Sequence, residues 1–400
     1  MSKLNIGKDL YLKGRIGWQG LSKDEYLVKS DYKIINATAL MDGYVDWNNC
    51  GYITKERYDE AKEIQLQEND ILISKDGTLG KIGYVKNLTT PCSVASGIFV
   101  LRNTKPDLIN FDYLYHVLKS PIFKDFIKRN KAQGSTIPHL YQRDLENFEI
   151  EIPNFETQTK ISNVLNLIEK KIAINNQIID ALVSLSKTLY DYWFLQFEFP
   201  NDEGKPYKSS GEKMVWNEVL NLEIPEGWSV VNIGEIADLY QPKTISGNEI
   251  LKDGKYLVYG ANGIVGKYND FNHNDNTIAI CCRGASCGEF LMTLPYSWIT
   301  GNAMVVEPKD KIYKEFIYYG LSKDRIRPFI SGSAQPQITR SNLENLKVII
   351  PKRNIIFNFN TFALDIRKKI QQCLFQNIEL ESIKDFILPL LMNGQLSFKE

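Results

Sequence analysis

Residues 134–153 read GSTIPHLYQRDLENFEIEIP, and residues 332–351 read GSAQPQITRSNLENLKVIIP. The two strings align without a gap at an offset of 198, and eight of twenty positions are identical: Gly134/Gly332, Ser135/Ser333, Pro138/Pro336, Leu145/Leu343, Glu146/Glu344, Asn147/Asn345, Ile152/Ile350 and Pro153/Pro351. A segment written twice in one chain of 400 residues marks a duplicated module, and two modules imply something read or gripped twice.

Working outward, the same order recurs on both sides of the repeat. Asn5-Ile6-Gly7 opens the first half as Asn232-Ile233-Gly234 opens the second. ILISKDGTLG at 71–80 corresponds to IAICCRGASC at 278–287, each an apolar run reaching a charged residue and then Gly77 or Gly284. KIGYVKN and SGIFVLR in the first half, and KYLVYGANGIVGKY and NAMVVEP in the second, read as short strands with tight turns. An aromatic, basic segment precedes each GS string and reads as helix, over residues 111–128 and 314–325. Asp144 and Asn342 look like helix starts, because their side chains can accept free backbone N–H bonds. The halves differ in length, with 127 residues from Gly7 to Gly134 and 98 from Gly234 to Gly332, so their loops are not superposable.

Each repeat is followed by an apolar ladder with alternating steps of four and three. The first runs Ile161, Leu165, Ile168, Ile172, Asn175, Ile179, Leu182, Ser186, Leu189, Trp193; the second runs Phe359, Ala363, Ile366, Ile370, Cys373, Asn377, Leu380, Lys384, Ile387, Leu391. This is a heptad seam, and no Gly or Pro interrupts either ladder before Pro389. Each predicts one helix of about 33 to 38 residues, about 50 to 57 Å at 1.5 Å per residue. A seam that long needs a partner of equal length. The other ladder of the same chain, antiparallel, is the simplest partner; pairing between two chains is the alternative. Asn175 and Asn377 would then fix register.

Composition leaves room for at least two cores: 43% of residues are apolar, and the formal net charge is zero. Charge is nonetheless uneven. Residues 111–143 carry Lys119, Lys124, Lys128, Arg129, Lys131 and Arg143 against Asp112 and Asp125, and residues 313–340 carry Lys314, Lys323, Arg325, Arg327 and Arg340 against Glu315 and Asp324. No stretch approaches the ~20 apolar residues of a membrane span and the N-terminus lacks a signal-peptide core, so the cytoplasm is the expected compartment. Six cysteines form no CxxC pair, which predicts reduced, structural thiols, and three histidines have no ligand spacing with them, so no metal site is expected. Catalytic motifs are missing too. GANGIVGKY at 260–268 fails the phosphate-loop spacing, and there is no [DN]PP[YF], GxSxG or HExxH string.

Cations, amides and hydroxyls in loops beside a basic helix suit nucleic acid, since cations hold phosphates while guanidinium forks and planar amides read base edges. The candidate DNA-binding residues around the repeat are Arg129, Lys131, Gln133, Ser135 and Arg143, matched by Arg325, Arg327, Ser333, Gln335, Gln337 and Arg340. Lys75, Lys81, Lys243, Lys267 and Arg283 lie beside glycine turns and join them, as does Arg15, next to Trp18.

KGRIGWQGL (13–21), DILISKDGTLGKIG (70–83), the first GS string (134–153), IPEGW (224–228), YGANGIVGKY (259–268), the second GS string (332–351) and ILPLLMNGQLSF (387–398), in this order, resemble the DNA-specificity subunit (HsdS) of type I restriction-modification systems over nearly the whole chain. The resemblance implies an α+β fold with two target-recognition domains in pseudo-two-fold arrangement, separated by an antiparallel coiled coil of two long helices. It places the domains at 1–152 and 223–351, the helices at 153–200 and 352–400, and a linker at 201–222. It implies a non-catalytic subunit that reads double-stranded DNA at a bipartite asymmetric target. Two adenine-methylating subunits and two motor-nuclease (restriction) subunits would be its partners, carrying S-adenosylmethionine, ATP and Mg, with no cofactor on this chain and no membrane association. Alternatives are a related system whose partner fuses methyltransferase and nuclease, an enzyme acting alone on nucleic acid, and a coiled-coil adaptor without a DNA role.

Overall fold

The computed structural model describes residues 2–15, 20–41, 43–130, 139–260, 262–332, 334–392 and 394–396. The chain divides into two compact units, residues 1–173 with 377–400, and residues 174–376. Each unit therefore holds one globular module and a stretch of each long helix, a division the linear domain map did not anticipate.

The modules repeat strand for strand. In unit one an antiparallel sheet runs in the order Tyr11–Gly14, Ile98–Arg102, Ile71–Ser74, Ile82–Tyr84; in unit two the order is Ala237–Tyr240, Ala303–Pro308, Ile278–Cys281, Phe290–Met292. A second sheet of three strands has one antiparallel and one parallel neighbour in both cases: Tyr32–Ile35 between Gly51–Ile53 and Cys92–Val94, and Tyr256–Gly260 between Gly263–Tyr268 and Ser297–Ile299. The ends of each module are tied by a two-stranded ribbon, Ser2–Asn5 with Glu149–Ile152 and Ser229–Asn232 with Lys347–Ile350. The residue after each first ribbon strand donates to the residue just before its partner strand, Ile6 N to Phe148 O at 3.1 Å and Ile233 N to Leu346 O at 2.8 Å. Gly7 and Gly234 are needed here: a Cβ at Gly7 would stand 2.7 Å from Glu146 Cβ, and one at Gly234 would stand 3.1 Å from Glu344 Cβ. The repeated N-I-G and L-E-N strings are thus the two halves of one closure.

The largest single share of the first module's extra length is residues 36–50, which join two strands whose counterparts, ending at Gly260 and starting at Gly263, are only two residues apart. Leu40, Val45 and Cys50 anchor this insertion in the cluster it shares with Leu72, Cys92, Val94 and Val100 of the module's sheets.

Three local expectations change. The segment 111–128 is two helices, Phe111–Lys119 and Pro121–Asn130, because Pro121 cannot donate and sits where a first helical turn needs no donor. Its counterpart is Tyr313–Gly320 followed by Lys323–Ile326. Asp144 and Asn342 lie inside short helices rather than at their starts. The caps are Tyr141, and Thr339, whose hydroxyl accepts from Asn342 N. The expected linker 201–222 is ordered: Met214–Asn217 pairs with Leu222–Pro225, and Phe199 just before it stacks on Trp228 at 4.9 Å.

Both ladders form continuous helices, Phe155–Tyr190 extended by a π-turn over Asp191–Leu195, and Arg353–Met392, which passes through Pro389. Every position of both seams is buried or half-buried. In unit one, Ile161 and Leu165 share a core with Leu388, Leu391 and Met392. In unit two, Trp193 packs on Phe359 with ring centroids 6.1 Å apart, and Asn175 Nδ2 donates to Gln376 Oε1 at 3.3 Å. In each unit the early part of one helix lies beside the late part of the other, so the pairing is antiparallel and within one chain.

One position on the helices carries opposite charges in the two units. Glu169 and Arg367 are related by the same offset of 198. Glu169 meets Lys119 at 3.4 Å, Lys384 at 3.3 Å and the Tyr115 hydroxyl at 3.3 Å. Burial works to raise its pKa, and the nearby Lys119, His116 and Lys384 outweigh it and hold the carboxyl below its usual value. Arg367 grips Glu315 through Nε at 3.1 Å and Nη2 at 2.9 Å, with side chains only 8% and 2% exposed. Its guanidinium also lies 4.6 Å from the Tyr318 ring centroid. The Lys384 that interrupts the second seam is thereby explained as a partner of Glu169.

Candidate nucleic-acid interface

In both modules the chain leaving the GS string returns to the glycine turn that follows the central strand. Leu140 N donates to Lys75 O at 2.9 Å in unit one, and Ile338 N donates to Cys282 O at 3.0 Å in unit two, the same bond at equivalent positions. The turns close alike, Gly80 N to Ser74 O and Gly288 N to Cys281 O, both at 2.9 Å. Gly77 (φ 67°) and Gly284 (φ 80°) occupy the left-handed region, and among the described residues a Cβ on either would meet nothing within 4 Å.

Different side chains stand on this common frame. In unit one Asp76 bridges to His139, and His139 Nδ1–H donates to Asp76 Oδ1. Tyr141 meets the His139 ring edge-on at 4.7 Å, and the Arg143 guanidinium lies 5.1 Å from the Tyr141 centroid. Lys75 lies 4.8 Å over the Phe99 ring, and burial lowers its pKa against the opposing pull of Asp76. Lys81 is half-buried on the same turn. In unit two Arg283 bridges to Gln337, both exposed, and with Tyr240, Gln241, Thr339 and Arg340 they line an open concavity.

The other candidates fall into distinct groups. Arg15 is corrected: it is 3% exposed and donates to Val94 O at 3.0 Å and Ser93 Oγ at 3.3 Å, so it braces the three-stranded sheet. Arg325 is likewise engaged by backbone, donating to Gly320 O and Lys347 O. Arg129, Arg143, Lys243, Arg327 and Gln335 are exposed, and Lys267 is half-buried in strand Gly263–Tyr268. Arg340 is exposed but paired with Glu344 at 2.5 Å. Lys131, Gln133, Ser135, Ser333 and Trp18 lie outside the described residues. Sequence reasoning missed Asp76 and His139. The signal was present, because aligning ILISKDG with IAICCRG sets Asp76 against Arg283, and the GS offset sets His139 against Gln337.

The long helices also expose apolar side chains: Leu167 at 67% and Phe386 at 70% in unit one, Phe357 at 62% and Leu185 at 56% in unit two. Among the described residues no group of His, Cys, Asp or Glu is placed to hold a metal ion, and no helix is long and apolar enough to cross a membrane.

Two copies of one α+β module, each presenting polar side chains on an open glycine turn and each followed by a long seam helix, define a duplicated recognition fold. The chain belongs to the type I restriction modification DNA specificity domain family, whose model matches it twice, at residues 19–183 and 225–389. It is 27% identical over 384 residues to the specificity subunit of the type I restriction enzyme MjaIX of Methanocaldococcus jannaschii, covering 89% of this chain and 86% of that one. To the MjaVIII specificity subunit of the same organism it is 25% identical over 371 residues, with 84% and 81% covered. In fold it is similar to the crystal structure of the type I restriction-modification S subunit from M. genitalium, with a TM-score of 0.57, 20% identity, and coverage of 98% and 95%.

Proposed function

We propose that this chain is the sequence-reading, non-catalytic subunit of a type I restriction-modification complex, in which each module reads one half of a split DNA target. The observation that carries the reading is the strand-for-strand duplication with different side chains on one shared frame: equal frames place two readers, and unequal side chains make the half-sites differ. Exposed cations on both modules supply phosphate contacts, and guanidinium, amide and carboxylate groups supply base readout. Two readers on one chain suit a split target, as paired readers elsewhere contact grooves about 34–36 Å apart. Exposed apolar side chains on those helices offer docking surface to partner subunits, two methyltransferase and two restriction subunits. S-adenosylmethionine, ATP and Mg belong to those partners in this reading.

The test is a genome-wide map of methylated adenine in cells expressing the cognate methyltransferase with and without this chain. A split asymmetric motif with a fixed gap, present only with the chain, is the expected result. Identical methylation in both cultures, with an active methyltransferase, overturns the proposal.

A further inference from the structure

The two glycine turns share their backbone bonds and differ at their tips. Asp76 and Arg283 occupy one equivalent position, and His139 and Gln337 the position bridged to it. All four side chains reach the surface, with Asp76 and His139 42% and 32% exposed. Each pair is adjacent to a left-handed glycine whose ideal Cβ would meet no described residue within 4 Å. The Arg283 guanidinium makes no ion pair or side-chain hydrogen bond among the described residues, unlike Arg15 and Arg325, which are held by backbone carbonyls. A duplicated frame that holds chemically opposite, accessible groups at one place is where two readers would acquire different specificities.

We propose, resting on the function above, that Asp76 with His139 and Arg283 with Gln337 are matched base-reading pairs, one for each half-site. Arg283 presents a fork of N–H donors that fits guanine O6 and N7, and the Gln337 amide beside it can both donate and accept, as adenine N7 and N6 require. Unit two therefore reads a guanine, with an adjacent adenine as the preferred neighbour. Asp76 is an acceptor whose Oδ1 is held by His139, which aims the carboxylate and leaves Oδ2 to accept from cytosine N4. Unit one therefore reads a cytosine at the equivalent step.

The experiment uses the assembled complex of this chain with its cognate methyltransferase. Its binding is measured by competition against duplexes carrying each single base-pair change in the target. Arg283→Ala is expected to weaken binding to the native target about 10- to 100-fold and to erase discrimination at one G·C pair of one half-site, leaving the other half-site read as before. Asp76→Asn is expected to act at one C·G pair of the opposite half-site. Arg283→Lys keeps the charge and replaces the planar fork by a single ammonium: it should regain the general attraction to phosphate lost in Arg283→Ala while discriminating at that G·C pair less well than wild type. Uniform weakening at every position with a reduced salt dependence, unchanged discrimination in both variants, or relaxation of the same half-site by both overturns the inference. A wild-type complex with no sequence preference overturns the underlying function instead, so the two failures are distinguishable. Thermal unfolding of each variant within about 2 °C of wild type assigns any binding change to the surface rather than to the fold.

Discussion

Removing Arg367 should expose how strongly unit two depends on its buried ion pair. The guanidinium makes three hydrogen bonds to the Glu315 carboxylate, at 2.9, 3.1 and 3.2 Å, and both side chains are nearly closed to solvent. Burial works to lower the Arg367 pKa, and the adjacent Glu315 more than offsets it, so the charge is held firmly. In Arg367→Met the carboxylate keeps its desolvation and loses its cation, a loss of about 3–5 kcal/mol at neutral pH. Glu315→Leu combined with Arg367→Met removes both charges and should return stability to within about 1–2 kcal/mol of wild type, since an apolar pair of similar volume is commonly neutral there. Urea unfolding followed through Trp193 and Trp228, both in the unit-two core, reads the effect in the affected unit. A single variant within about 1 kcal/mol of wild type, or a double variant no better than the single, refutes the reasoning.

Three further outcomes follow from the same geometry. Gly7→Ala, whose Cβ would stand 2.7 Å from Glu146 Cβ and 2.9 Å from its carbonyl, should cost about 1–3 kcal/mol, and Gly234→Ala, at 3.1 Å, should cost less; urea midpoints rank them. Leu165→Ala, with Leu165 fully buried, should lose about 2–5 kcal/mol, whereas Leu167→Ala on the exposed face should stay within about 0.5 kcal/mol; equal losses would show that the seam has been misplaced. His116 is buried and its Nε2–H donates to Asn166 Oδ1 at 2.8 Å, and burial holds its pKa below 6.5 despite the upward pull of Glu169. The neutral ring's contribution is therefore whole above 6.5 and is lost as pH falls from there toward the folded pKa, so His116→Gln should flatten the stability slope over that window.

The seams were legible because burial along a paired helix leaves a period in the sequence, and the polar positions Asn175, Ser186, Asn377 and Lys384 kept their places in it. The ribbon that closes each module was legible as N-I-G and L-E-N, since a glycine at a close backbone approach can be replaced only at a cost in packing. Arg15 was misread because a cation beside Gly and Trp looks the same whether it faces solvent or braces a sheet through Val94 and Ser93. Asp76 and His139 were missed because neither residue type signals DNA on its own. Their meaning comes from a contact across 63 residues, and only the fold brings them together. The break at Pro121 was in plain view, but an aromatic, basic run obscured it.

The opposite charges at Glu169 and Arg367 bear on how such chains can be recombined. Each module supplies one member of its clamp, Lys119 or Glu315, while the counter-charge sits sixteen residues past Pro153 or Pro351 on the helix that follows. A chimera that replaces the second module by the first with a splice at that proline would bring Lys119 toward Arg367, two cations in a site closed to water. A splice beyond Glu169 or Arg367 moves module and counter-charge together. The permissible joint for exchanging specificities therefore lies inside the helix, not at the visible edge of the globular domain.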